Sequence, residues 1–420
     1  MERELWNRLL PRWFAHGVDA GGGFHPVLGP DWTRQPDNRR SVVYQARMTW
    51  AAAEAAQACT DRKQRDAHAG HARHGADYLL RAFHDAPQGG YFWVIDGDAG
   101  APTAALGWDK HVYGQAFVVY ALANVHGATG EQRYLDAAIE LFHWLETHAH
   151  DKAHGGYREQ LQRDGRQRET GDRLENRSTF APATPAGFKT ANTHLHVIEA
   201  WTVLAAHWRD DRVQARLAEL VELARDRMIV PPGCMHGLFT SDWRAVPMHD
   251  SFGHDVEMAV LLLDAAAVVG RGEDATLQRL ARSLVDHALA VGFDQRRGGL
   301  ASTGEALGTP CHRQRHWWVQ AEMLQALARM HALHGQADDR YRAALALQWQ
   351  FVRDCIVDHR HGGWHETVDE RGRLRSGQRK AHAWKAAYHE TRALLNASRW
   401  LRCEASTPAC QIQCMEGSKS

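Results

Sequence analysis

The nonapeptide 249-HDSFGHDVE-257 holds two histidines, two aspartates and a glutamate, and the apolar run MAVLLLDAA follows it directly. Titratable groups at the mouth of a helix that must otherwise be buried are expensive unless partnered. His254 and Glu257 are spaced i, i+3 and so share a helical face. Imidazole takes and gives protons near neutral pH, and a carboxylate one turn away favours its protonated form and fixes its tautomer. The chemistry this pattern suits is general acid–base catalysis.

Similar stripes recur along the chain. Arg40, Tyr44 and Arg47 are spaced i, i+4, i+7, as are Asn192, His196 and Glu199, and Lys385, His389 and Arg392. His111 with Gln115, and His316 to Glu322 with Trp317, Trp318 and Gln320 between them, make two more sets. Each set has a structural alternative. Arg47 could sit in a buried ion pair, and His111 and Gln115 could cap or bridge helices. Asn192 and Glu199 suit support better than reaction, and His194, offset by two from His196, points elsewhere. Trp317 and Trp318 lie about 100° apart on a helix, so one is expected on a cavity and the other in the core. No Gly-rich phosphate loop, serine elbow or G-x-G-x-x-G follows a strand. His196, His254 and His389 could in principle ligate a metal, but their contexts differ, and proton transfer without metal or organic cofactor is the expectation.

The elements that must carry these residues show a repeat. Glycine pairs followed by an apolar or aromatic residue occur at 22-GGF-24, 89-GGY-91, 155-GGY-157, 298-GGL-300 and 362-GGW-364, with 236-HGL-238 as a degenerate member. Asp85, Asp151, Asp294 and Asp358 stand four residues before their glycine pairs. A near-constant period is the mark of a repeat architecture. Between successive pairs the apolar spacing predicts two helices, as at 40–58 with 65–84, and 252–270 with 275–292. The last unit supplies one, at 382–402, and residues 2–15 supply its partner. Six pairs whose ends must meet predict an all-α (α/α)6 barrel with six inner and six outer helices. An open solenoid is the alternative.

Composition sets the remaining bounds. Formal net charge is zero, with no basic stripe for nucleic acid. No apolar run approaches the roughly 20 residues that span a bilayer, and the N-terminus MERELWNRLLPRWFAHG is charged and amphipathic. A soluble cytoplasmic protein, monomer or homodimer, is expected. The seven cysteines follow no C-x-x-C or disulfide pattern and are read as reduced thiols. Sixteen tryptophans suit a large helical core or an aromatic-lined, sugar-binding cavity. Residues 1–402 are read as one catalytic barrel, and 403–420 as a disordered tail.

Taken in order, 44-YQARMTW-50, 110-KHVYGQAF-117, 192-NTHLHVIEA-200, 251-SFGHDVE-257, 317-WWVQAE-322 and 384-WKAAYHETRA-393 resemble the N-acylglucosamine 2-epimerase superfamily. Its members epimerise or isomerise sugars at C2 inside an (α/α)6 barrel. The third and fourth inner motifs, 192-NTHLHVIEA-200 and 251-SFGHDVE-257, look most like the cellobiose and mannose 2-epimerase branch, with mannose isomerases as relatives. By motif position the resemblance implies His254 and His389 as acid/base pair and Arg47 at the C1–C2 oxygens. It implies His196 in ring opening or holding, and Glu257 as partner of the catalytic histidine. Trp318 and Trp384 fall at aromatic subsite positions. Tyr44, Gln115, Asn192, Glu199, Glu322 and Arg392, on the same stripes, complete the expected sugar-binding set. Glu390 and Thr391 depart from the cellobiose branch, which carries small or amide residues there, and weaken the case for a disaccharide subsite.

The implied reaction opens the pyranose, removes the C2 proton and forms a cis-enediolate. An epimerase returns the proton to C2 from the other face, whereas an aldose–ketose isomerase carries it to C1. A glycoside hydrolase on the same barrel would need two carboxylates about 5–9 Å apart, with Glu199, Asp255 and Glu257 as candidates. A non-catalytic carbohydrate-binding role is the other alternative.

Overall fold

The computed structural model describes residues 1–97, 110–169, 185–305 and 310–404. The tail expected from 403 therefore falls, from 405 onward, outside the described residues. Six helices form an inner ring: Val42–Ala58, Val112–Thr129, Ala191–His207, Phe252–Val268, Trp317–His334 and Tyr388–Glu404. Each packs on the next and the sixth packs on the first, so the ring closes, as an open solenoid would not. Five outer helices, Arg62–Tyr78, Gln132–His148, Asp211–Leu223, Ala275–Val291 and Arg340–Phe351, run back between them. The sixth outer place is filled from the N-terminus. There Glu2–Glu4, Leu5–Leu9 and Leu10–Gly17 form one helical run packed on the last inner helix. This is the (α/α)6 barrel the repeat predicts. Among the described residues, no helix is long and apolar enough to cross a membrane.

The two helix types follow from composition. An inner helix is enclosed on all sides and must be apolar all round. Val42–Ala58 manages this with small residues, burying Ala46, Ala51, Ala52, Ala53, Ala55 and Ala56, so its neighbours can approach closely. An outer helix has one wet face. Ala275–Val291 buries Leu277, Ala281, Leu284, Val285 and Ala288, a single stripe at helical spacing.

Each outer helix returns to the next inner one through a glycine turn, closed by the bridges Val18–Phe24, His84–Tyr91, His150–Tyr157, Phe293–Leu300 and Val357–Trp364. Both glycines of a pair adopt positive φ, as at Gly155 (72°) and Gly156 (69°). A Cβ on Gly156 would come within 2.8 Å of His194 Nε2, so only glycine fits. The fourth turn is not at 236-HGL-238, as the spacing suggests. It is the hairpin Ile229–Val230 against Cys234–Met235 around 231-PPG-233, where Gly233 has φ 132°. Prolines and a single glycine make that turn, so counting glycine pairs misplaces it.

Two sets of contacts tie the turns to the inner ring. The fourth residue of each of the first five inner helices reaches back to the residue after the preceding turn. Gln45 bonds both N–H and C=O of Phe24 at 2.7 Å, Gln115 those of Tyr91 at 2.8 Å, and Gln320 those of Leu300 at 2.8 and 2.9 Å. His194 Nε2 accepts from Tyr157 N–H at 2.9 Å, and Asp255 from Met235 N–H at 3.0 Å. Gln115 is thus a turn clamp, not the sugar contact expected from its stripe. Separately, a cation ahead of the inner helix pairs with an aspartate in the turn: Arg40–Asp19 at 2.6 Å, Lys110–Asp85 at 3.1 Å, Lys189–Asp151 at 2.9 Å and Lys380–Asp358 at 2.6 Å. Arg40 therefore sits on the strand Arg39–Ser41 as a latch and shares no helical face with Tyr44. The last inner helix begins at Tyr388 rather than about 382, so Lys385 precedes it and bonds the carbonyls of Trp364 and Lys380.

Candidate active site

The leading ends of the inner helices surround a cavity of about 1160 Å³. Arg47, Tyr113, Asn192, His196, His254, Glu257, Trp317, Trp318, Trp384 and His389 are among its lining. The repeat explains the convergence. The sixth residue of each of the first five inner helices is, in order, Arg47, Phe117, His196, Glu257 and Glu322. Equivalent positions in equivalent helices point to one level of the barrel. His389, second in the sixth helix, joins them.

Of the five histidines that line this cavity, the three on the inner helices, His196, His254 and His389, are each held through Nδ1. His196 Nδ1 lies 3.0 Å from Glu199 Oε2, and His389 Nδ1 lies 2.6 Å from Glu322 Oε1. His254 Nδ1 lies 2.8 Å from Ser251 Oγ. In each ring Nε2 is the nitrogen left for the cavity. Trp318 lies beside both His254 and His389, with ring centroids 4.9 and 5.7 Å away. Arg47 is fixed between walls. It donates to the carbonyl of Trp384 at 2.6 Å and to Tyr113 Oη at 2.9 Å, and its guanidinium lies over the Phe117 ring at 4.6 Å.

Beneath this floor one guanidinium organises the acids. Arg392 Nη1 donates to Glu199, and Nη2 to Glu257 and to Glu322, the last at 2.8 Å. Tyr388 Oη also donates to Glu199 at 2.5 Å. Burial opposes charge throughout, yet Arg392 and His196 outweigh it at Glu199, whose carboxyl is lowered to about 2. Glu257 goes the other way, raised to about 7 by burial and by the Glu322 carboxylate. Burial also lowers His254 to about 3, reinforced by His196 and Arg47. His389 is held well below the usual imidazole range by burial and then by Arg47 and Arg392. Glu257, Glu322 and His389 are close enough to ligate a cation, but Arg392 already stands against both carboxylates.

The structure brings most of the expected residues together and relocates several. His254, His389, His196, Arg47, Glu257, Asn192, Trp318 and Trp384 line the cavity. Glu199, Glu322 and Arg392 lie under its floor, bonded to the histidines and to one another. Tyr44 is fully buried away from the lining. Glu257 is not the partner of His254. It is bonded by Arg392 and lies 4.0 Å from His389 Nδ1, while Ser251 holds His254. The i, i+3 spacing put Glu257 on the right face but could not show a cation competing for it from another helix. Trp317 and Trp318 both reach the cavity, because Trp317 at the helix start lies at its edge. Ser251 and Tyr113 were not singled out from sequence. Ser251 had a signal, a serine three residues before the histidine at a helix start. Glu390 and Thr391 are fully buried and do not line the cavity. Lys385 and the Trp13 and Trp317 indoles face the Glu390 carboxylate, so this position lies behind the cavity wall and not in its lining.

The sequence profile of the N-acylglucosamine 2-epimerase (GlcNAc 2-epimerase) family matches residues 22–393. The chain belongs to this family. A cellobiose 2-epimerase of Bacteroides fragilis is 30% identical over 401 residues, covering 93% of this chain and 96% of that protein. A D-mannose isomerase of Marinomonas mediterranea is 24% identical over 399 residues, covering 91% and 92%. The solved structure of cellobiose 2-epimerase from Spirochaeta thermophila superposes with a TM-score of 0.84 at 28% identity over 96% of each chain. This member of the N-acylglucosamine 2-epimerase family is a carbohydrate epimerase or isomerase.

Proposed function

We propose that the chain interconverts C2 epimers of an aldose of the glucose/mannose type, free or at the reducing end of a cellobiose-type disaccharide, through a cis-enediolate. The observation that carries this reading is that His254 and His389 enter one cavity from different inner helices, each with Nδ1 engaged and Nε2 left toward the interior. One Nε2 takes the C2 proton, and the C–H electrons form the C1–C2 double bond as charge moves onto O1. Arg47, held by two walls, stabilises that oxyanion. The other histidine, already protonated, gives its proton to C2 from the opposite face. His196, oriented by Glu199, is placed to hold the sugar or assist ring opening. No metal or organic cofactor enters the scheme, and cytoplasmic residence fits the thiols read as reduced.

A second reading, aldose–ketose isomerisation, is favoured by the likeness to the Marinomonas mediterranea D-mannose isomerase. It would use the same site, with one histidine moving the proton from C2 to C1. Glycoside hydrolysis is disfavoured by the acids themselves. Glu199 and Glu257 are both bonded by Arg392, and Asp255 accepts from Met235 N–H, so none of these three candidate acids is free to flank a glycosidic bond. Incubation with glucose, mannose and cellobiose tests the function. New C2 epimers without bond cleavage are expected. Release of glucose from cellobiose, with no epimer, would overturn the reading.

A further inference from the structure

We infer that Ser251 is the positioning residue of His254, holding its imidazole with the proton on Nδ1 so that Nε2 meets the substrate as a lone pair. This rests on the reading of His254 as a proton carrier. The observation behind it is a cap that does not cap. Ser251 occupies the N-cap of Phe252–Val268, with extended φ −107° and ψ 90°, yet its side chain bonds no backbone N–H of the first turn. A serine there ordinarily accepts from the second or third helical N–H. Here the hydroxyl is spent on the imidazole of the third helical residue, His254 Nδ1, at 2.8 Å.

The direction of that bond follows from the proton cycle. When His254 has taken the C2 proton, both ring nitrogens carry hydrogen and Ser251 Oγ can only accept. When the Nε2 proton leaves, the Nδ1–H···Oγ bond persists without rearrangement. With the serine donating instead, Nε2 would carry the hydrogen and no lone pair would face C2. The hydroxyl also differs from the carboxylates behind His196 and His389, because it fixes the ring without stabilising an imidazolium. The other groups around His254 reinforce the neutral form. Arg47, His196 and His389 face it from the first, third and sixth inner helices, and Trp318 lies against its ring. Glu257 on its own helix is taken by Arg392, Asp255 by Met235 N–H, and buried Asp250 directly precedes Ser251. His254 is thereby arranged to rest neutral, whereas Glu322, 2.6 Å from His389 Nδ1, supplies a carboxylate that stabilises the His389 ring when it carries a proton during turnover.

Long-range ¹H–¹⁵N NMR of the imidazoles, assigned by difference against His254→Gln, reads the tautomer without substrate. The wild type and Ser251→Thr should show Nδ1–H, and Ser251→Ala should show Nε2–H. In steady-state assays Ser251→Ala should lose roughly 10²-fold in kcat, within the range of general acid–base catalysis, with KM little changed. Ser251→Thr should recover most of it. Ser251→Asp, which adds a charge, should move the acid limb of the kcat/KM profile to higher pH. An Nε2–H tautomer in the wild type, or Ser251→Ala with unchanged tautomer and turnover, would overturn the inference. A wild type with the Nδ1–H ring, lost in Ser251→Ala, that epimerises no sugar would leave the inference standing and overturn the proposed function instead.

Discussion

The Glu322 carboxylate stands 2.6 Å from His389 Nδ1, on a different inner helix from the histidine it orients. The same carboxylate is bonded by Arg392 and by Gln325, so its own position is fixed. Replacing it with glutamine keeps the volume but allows an amide N–H to face Nδ1 and select the other tautomer. Glu322→Gln should lower kcat by roughly 10²-fold or more with KM within a few-fold, since only proton transfer is affected. Steady-state kinetics on whichever sugar is turned over fastest would check this.

Gln115 separates a structural contact from a sugar contact. Its amide satisfies both backbone groups of buried Tyr91. Gln115→Ala should cost about 1–3 kcal/mol of stability for the groups left unpaired, seen as a lower denaturation midpoint, with kcat and KM near wild type. A tenfold rise in KM at unchanged stability would mean that Gln115 reaches the sugar.

The barrel was legible because its signals are local and repeated. Glycine pairs mark the turns, 3.6-residue spacing marks the helices, and the unpaired last helix demands the N-terminal run. The site was legible to the level of which residues converge, because equivalent positions of equivalent helices meet. Pairing inside the site was not legible. Glu257 and His254 share a face, yet Arg392 arrives from the sixth helix and claims the glutamate, and that contact spans 135 residues. Gln115 and Arg40 were misplaced for a related reason. Polar residues on a buried helix indicate a partner, but a backbone turn satisfies them as well as a ligand does.

Among the described residues, Arg392 is the one cation bonded to Glu199, Glu257 and Glu322 together. Removing one partner of a buried charged set costs about 3–5 kcal/mol, because the charges left behind stay unpaired. Arg392→Met should show a loss of that order in urea unfolding, together with lost activity, and Arg392→Lys should recover part of the stability. A variant as stable as wild type would mean that the three acids are held by other groups.

Glu257 gives a stability signature with a definite sign. Its carboxyl is raised to about 7 by burial and by Glu322, above the usual carboxylate value near 4.5. Between these values the folded state keeps a proton that the unfolded state has lost, so this group's stabilising contribution is complete below about pH 4.5 and is lost as pH rises through about 7. Glu257→Gln cannot ionise and lacks the effect. The melting temperature of wild type relative to Glu257→Gln should fall from pH 4.5 to 7 and flatten above that. A difference that is flat over the window would contradict the assignment.

The central claim is that His254 and His389 work on opposite faces of one enediolate, and the fate of the C2 hydrogen tests it most directly. Mannose or cellobiose is incubated with the protein in D₂O, and the product is read by NMR. The account predicts a C2-epimeric aldose carrying solvent deuterium at C2, with turnover lowered by at least roughly 10²-fold in folded His254→Ala and His389→Ala. Fructose as the main product from mannose, labelled at C1, would contradict the epimerase reading, and near-wild-type rates in both histidine variants would contradict the two-histidine mechanism itself.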